Sequence, residues 1–170
     1  MAHSIQDLNQ MTAAAFMAAF GDVAEHSSWI AEQAALGRPF ADRDDVVAQF
    51  AAVLRNSTKA EQISVLCAHP DLAGKAAVAG ELTDESRNEQ AGAGLDSLSA
   101  AEFERFTNLN NAYKAAFNFP FIFAVKGATK AMILASFEDR VGNGREMEFT
   151  NAVDNVCRIF RFRIEDRVAP

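Results

Sequence analysis

Apolar residues along this chain recur at intervals of three and four almost from end to end, the spacing that lines one face of an α-helix. Thr12 can cap a short helix through Phe16 and Phe20, stopped by Gly21. Ser27 or Ser28 can open a second through Trp29, Ile30 and Ala34 to Leu36, closed by Gly37 and Pro39. Asp42 opens a third with Val46, Phe50, Val53 and Leu54 on one stripe. Thr58 with Glu61 has the spacing of a capping box for a fourth, which must end before Pro70. Thr83 or Ser86 starts a helix carrying Glu89, and Gly92 and Gly94 end it. Ser99 with Glu102 is a second capping box, leading a long helix with Phe103, Phe106, Asn110, Tyr113 and Phe117 on one side. Thr129 begins another through Ile133 and Phe137 to Val141. After Gly142-Asn143-Gly144 a last helix carries Phe149, Val153, Val156 and Phe160. The pattern predicts an all-α fold of about eight helices, in a single domain over residues 1–170, with loops of ordinary length.

One stretch departs from that period. Asn118 to Gly127 is short, aromatic and interrupted by Pro120, so it reads as an extended segment. A lone strand among helices has no ladder partner, and its backbone groups need other partners or a ligand. It therefore reads either as a pocket wall or as a connection crossing the core.

Composition narrows the class of protein. Of the 170 residues, 49% are hydrophobic and 23% charged, as in ordinary globular proteins. A net charge of −7 argues against nucleic acid, which selects clustered Lys and Arg. No run approaches the ~20 apolar residues of a membrane span, and neither terminus reads as a targeting signal, so the expected location is cytoplasmic, with no membrane partner. Cys67 and Cys157 are too few for a disulfide framework, lack a CxxC spacing, and fall at apolar helical positions.

The candidate chemistry lies in AHPDLAGK, Ala68 to Lys75, and SRNEQAGAGLD, Ser86 to Asp96. His69 ends a helix against Pro70, where the helix dipole favours a protonated ring. A helix-end histidine is more often a cap than a catalyst. Ser86, Glu89 and Gln90 stand at i, i+3 and i+4, one face of a helix. An imidazole, a carboxylate, a carboxamide and a hydroxyl in no metal- or phosphate-binding pattern suggest acid–base chemistry on a small polar molecule. Cys67 precedes His69 by two residues, a separation that does not share a helix face, which disfavours a cysteine–histidine nucleophile. His3 lies near the terminus, and His26 falls in a turn beside Glu25. In the last helix Arg158, Arg161 and Arg163 alternate with apolar residues; at least one should diverge and could reach an anion, the alternative being ion pairs to Glu165 and Asp166.

These residues resemble the OHCU decarboxylases, which act on 2-oxo-4-hydroxy-4-carboxy-5-ureidoimidazoline in urate degradation. The matching stretches are EHSSW (Glu25 to Trp29), RPF (Arg38 to Phe40), AHPDLAGK, LTDESRNEQAGAGL (Leu82 to Leu95), FPFIFAVKG (Phe119 to Gly127) and RIFRFRIEDRV. They occur in family order over nearly the whole chain. Ser28 stands where a proline is common and Phe162 where leucine is usual, and neither carries chemistry.

The resemblance implies an all-α fold, no metal or organic cofactor, and decarboxylation of OHCU to (S)-allantoin, with a homodimer as a common assembly. By position His69 matches the catalytic histidine, and Glu89 is expected to act with it. Pro70, Ser86 and Gln90 match pocket residues, Phe121, Ile122, Phe123 and Ala124 match the wall whose backbone meets the ligand, and Arg163 matches the substrate-binding arginine. Two rival readings make other demands. A helical module binding without turnover favours an apolar pocket, and a hydrolase using Cys67 or Ser86 with His69 predicts a trapped covalent adduct.

Overall fold

A computed structural model describes residues 2–74 and 80–170; Lys75, the last residue of the AHPDLAGK stretch, lies outside them. Among the described residues there are nine α-helices and no strand, only an isolated bridge pairing His3 with Val168. The all-α expectation holds. Packing divides the chain into two compact units, residues 1–68 with 156–170, and residues 69–155.

The first unit contains α1 (Ile5–Gln10), α2 (Ala13–Phe20), α3 (Trp29–Ala34), a 3₁₀ turn (Ala35–Gly37), α4 (Arg43–Asn56) and α5 (Lys59–Ala68). Helix α3 packs on α2 and α4. Phe16 stacks on Phe20 at 4.9 Å, and Phe50 meets Phe160 edge-on at 6.1 Å. Leu8, Ile30, Leu54 and Leu66 complete a fully buried core. Each such side chain contributes about 1.5–3 kcal/mol by leaving water. The second unit contains α6 (Asp84–Gly92), α7 (Ala100–Phe117) and α8 (Lys130–Arg140), with α7 packed on α8. The last helix, α9 (Arg145–Glu165), begins in the second unit and ends in the first.

The predicted caps form as hydrogen bonds. Thr12, Asp42, Thr83, Ser99 and Thr129 each accept, through a side-chain oxygen, a backbone N–H three residues on. Ser99 and Glu102 close a complete capping box, and Thr58 and Glu61 make the same reciprocal pair. Ser28 precedes α3 but makes no side-chain cap, because its own backbone is already helical (φ −57°, ψ −22°). Among the described helices, α1 is the one that the apolar period misses. It buries only Leu8, so it has no stripe; a Ser4–Asp7 capping box makes it. The S-x-x-D spacing was the available signal. Along α7, Phe106, Asn110, Tyr113 and Phe117 are buried as the stripe predicts, while Phe103 is half-buried. Cys157 is buried, but Cys67 is exposed, on the outer side of α5.

Residues 120–125 belong to no helix or strand, and side chains stand in for the missing ladder. Arg140 Nη1 donates to the Ile122 carbonyl at 2.9 Å, and the Ala124 N–H donates to Asn155 Oδ1 at 3.0 Å. Phe121 lies flat on Phe137, with ring centroids 3.8 Å apart and planes within 11°, beneath the Arg140 guanidinium at 4.5 Å. The segment therefore crosses the core of the second unit on fixed polar anchors.

Candidate active site

His69 follows directly on α5, which stops at Ala68 because Pro70 bars a helical backbone at the residue before it. Its side chain is buried, 8% exposed. That burial weighs against the surface-cap reading. The chain then turns through Asp71, Leu72 and Ala73, and Ala73 adopts a left-handed backbone (φ 51°). A non-glycine residue there is strained, so its neighbours must hold it. They do so at three consecutive residues. Lys114 Nζ meets Asp71 Oδ2 at 2.5 Å, Asn110 Nδ2 donates to the Leu72 carbonyl at 2.9 Å, and the Ala73 N–H donates to Gln90 Oε1 at 2.9 Å.

Helix α6 supplies the second group of candidates. Thr83 caps it, and Ser86 and Gln90 are each 5% exposed while Glu89 is half-buried. The predicted face of Ser86, Glu89 and Gln90 is thus the inward one. Gln90 is tied to the turn that begins at His69, and this fixes its amide: the oxygen takes the Ala73 N–H, and the NH₂ end is the one left to donate. A cavity of about 580 Å³ in the second unit is lined by Gln90 with Ala73, Leu82, Leu95, Leu98 and Phe103. Of the predicted site residues only Gln90 borders it.

Pro70 is half-buried, and in the extended segment Phe121, Ile122 and Ala124 are buried while Phe123 is half-buried. The Phe121 ring is committed to the core stack, so its side chain is occupied by packing. Sequence reasoning missed the group that holds this segment. Glu148, fully buried, accepts from Tyr113 (2.5 Å), Asn143 (2.8 Å) and Asn151 (2.8 Å) and pairs with Arg140 Nη2 at 3.0 Å. Burial alone raises the Glu148 carboxyl, but its donors outweigh burial and hold it below the ordinary range. Burial, and then the adjoining carboxylate, push the Tyr113 phenol well up, so it stays a donor.

The last-helix arginines diverge as expected. Arg158 is exposed, and Arg161 is spent on Asp44 (2.6 Å) and Glu165 (3.3 Å). Arg163 is only 4% exposed, in the first unit, where its Nη1 donates to the Val23 carbonyl at 3.3 Å. Its Nη2 lies 3.6 Å from the equally buried Glu25. Sequence reasoning did not single out Glu25, which is buried while its neighbour His26 is exposed; in a turn that also holds Asp22, Ser27 and Ser28, nothing local marks it as the buried acid. Among the described residues no three His, Cys, Asp or Glu side chains group as metal ligands, and no helix is long and apolar enough to cross a membrane.

Among the described residues, these features define an all-helical class of protein with a buried imidazole, a pinned turn and a carboxamide–carboxylate helix face. Comparison with known proteins makes the class particular. The OHCU decarboxylase family matches residues 9–165, so the chain belongs to that family. A 2-oxo-4-hydroxy-4-carboxy-5-ureidoimidazoline decarboxylase of Haloferax volcanii is 38% identical over 96% of this chain and 95% of its own length. The uric acid degradation bifunctional protein PucL of Bacillus subtilis is 38% identical over 96% of this chain, a match covering 32% of that longer protein. Among solved structures, an (S)-allantoin synthase superposes with a TM-score of 0.80 at 30% identity, covering 98% of this chain and 54% of that one. An OHCU decarboxylase structure determined in the presence of (S)-allantoin shares the fold at a TM-score of 0.70 and 21% identity, covering 86% of this chain and 94% of that one.

Proposed function

We propose that this protein decarboxylates 2-oxo-4-hydroxy-4-carboxy-5-ureidoimidazoline to (S)-allantoin in urate degradation, through His69 and Glu89 as catalytic residues. Pro70, Ser86, Gln90, Phe121, Ile122, Phe123, Ala124 and Arg163 are the substrate-binding set, carried by single family domain 1–170. The observation that carries the reading is the burial of His69 at the head of a turn hydrogen-bonded to Gln90 of the Ser86–Glu89–Gln90 face.

The chemistry needs little beyond those groups. In the substrate a carboxylate and a hydroxyl share a ring carbon next to a C=N bond. When the carbon–carboxylate bond breaks, its electron pair forms a ring C=C bond, the C=N pair moves to nitrogen, and nitrogen takes a proton. The carboxyl group leaves as carbon dioxide, the hydroxyl proton then leaves as the ring amide carbonyl forms, and the adjacent carbon is protonated from one face to set the (S) configuration. The substrate therefore contains its own electron sink, the role an organic cofactor fills where none is built in. An imidazole, whose unperturbed pKa is ~6.5, can carry these protons near neutral pH. The Gln90 NH₂ end can donate to a ureido carbonyl, and the Arg163 fork matches a carboxylate.

The test is circular dichroism with freshly prepared substrate. Rapid one-handed formation of allantoin supports the reading; decay at the spontaneous rate to a racemate overturns it. A homodimer and a cytoplasmic location belong to the same proposal, and light scattering of the purified protein checks the first.

A further inference from the structure

We infer that Asn110 on α7, seconded by Lys114 one turn along, is a positioning residue for His69. The inference rests on the reading of His69 as catalytic. An imidazole is placed by its backbone, and here the backbone has little freedom of its own. Pro70 fixes φ at the residue after His69. Asp71, Leu72 and Ala73 are each held by a side chain, two of the three from α7. The turn also closes tightly on itself: a Cβ placed on Gly74 would lie 2.6 Å from the Asp71 Cβ.

Asn110 is the central anchor. It is 3% exposed, mid-helix, and its Nδ2 donates to a carbonyl in a turn 38 residues earlier. A carboxamide buried on an apolar stripe costs stability, the more so as its Oδ1 is buried without a hydrogen-bond partner, so the bond that its Nδ2 makes to the Leu72 carbonyl is what sets its place here. Without that donor the buried Leu72 carbonyl must seek another partner, and the left-handed Ala73 can relax. Either change swings the His69 end of the turn. A shift of about 1 Å at a reacting group can cost ~10²-fold in rate.

The experiment compares Asn110→Leu, Asn110→Asp, Lys114→Met and Lys114→Arg in the full chain, by steady-state kinetics and thermal denaturation. Asn110→Asp keeps the shape and removes the donor. The expected result for both Asn110 variants is a fall in kcat of roughly 10- to 100-fold with KM little changed, in protein that remains folded at the assay temperature. Lys114→Met should lose part of kcat and Lys114→Arg should recover it. A folded Asn110→Leu protein with unaltered kcat, or one whose loss lies wholly in KM, overturns the inference. Should both Asn110 variants fail to fold, the Lys114 pair decides: kcat lost in one and restored in the other supports it, and unaltered kcat in both overturns it. His69→Ala separates this from the reading beneath it. Full activity in that variant sinks both, whereas an inactive His69→Ala beside an unaltered Asn110→Leu sinks the positioning role alone.

Discussion

The Tyr113 hydroxyl and the Glu148 carboxylate meet at 2.5 Å in the core of the second unit, and the same carboxylate holds Arg140, whose Nη1 fixes the Ile122 carbonyl. A buried acid thus sets the backbone of the extended segment at one remove. Tyr113→Phe keeps the ring contacts with Phe117, Phe121 and Phe137 and deletes only the donor. A hydrogen bond to a charged group contributes about 1.5–3 kcal/mol. Urea denaturation should show a loss of that size with an unchanged m-value; no loss would mean that Asn143, Asn151 and Arg140 satisfy Glu148 without the phenol.

Acid should act through the same carboxylate. Its folded pKa lies below the ordinary 4.5, so its stabilisation is fully present above the unfolded pKa and disappears as pH falls through the folded value. At neutral pH, Glu148→Gln should be clearly less stable, because Arg140 loses its buried counter-charge; breaking such a pair costs about 3–5 kcal/mol. Below about pH 4.5 the melting temperatures of the two proteins should converge as the native carboxylate protonates. A gap that stays constant from pH 7 to pH 3 would refute this assignment.

In the first unit, Arg163 and Glu25 should be energetically coupled. Both are buried, so removing Glu25 leaves a guanidinium that has lost its carboxylate neighbour. A double-mutant cycle of Glu25→Ala and Arg163→Ala should give a coupling energy of about 0.5–3 kcal/mol. Additive losses would mean that the 3.6 Å contact carries no energy. Arg163→Lys should raise KM more than it lowers kcat, since an ammonium cannot reproduce the planar fork.

Replacing His69 by Ala should cost ~10² to 10⁴ in rate, the usual worth of a positioned acid–base group. The proper control is His26→Asn, because His26 is exposed with φ 55° and Asn tolerates that backbone better than Ala. Turnover of His26→Asn should match the parent. Equal decline in the two variants would remove the assignment of the catalytic histidine.

Local signals determined much of this protein. Caps at Thr12, Asp42, Thr83, Ser99 and Thr129, and the apolar stripe of α7, are set by residues three or four apart, so the chain displays them without its fold. The order of short motifs around His69, Glu89 and Arg163 indicated the family, because several such stretches in one fixed order rarely coincide by chance. Other features were decided only by tertiary structure. That Gln90 presents its NH₂ end follows from the Ala73 N–H 17 residues away in the chain, and that Arg163 lies beside Glu25 follows from packing across most of its length. Asn110 and Tyr113 read as members of a helical stripe until their partners, Leu72 and Glu148, came into contact with them. The physical reason is range: helix periodicity and capping are energies between near neighbours, whereas the partner of a buried polar group is chosen by whichever distant segment the fold brings within about 3 Å.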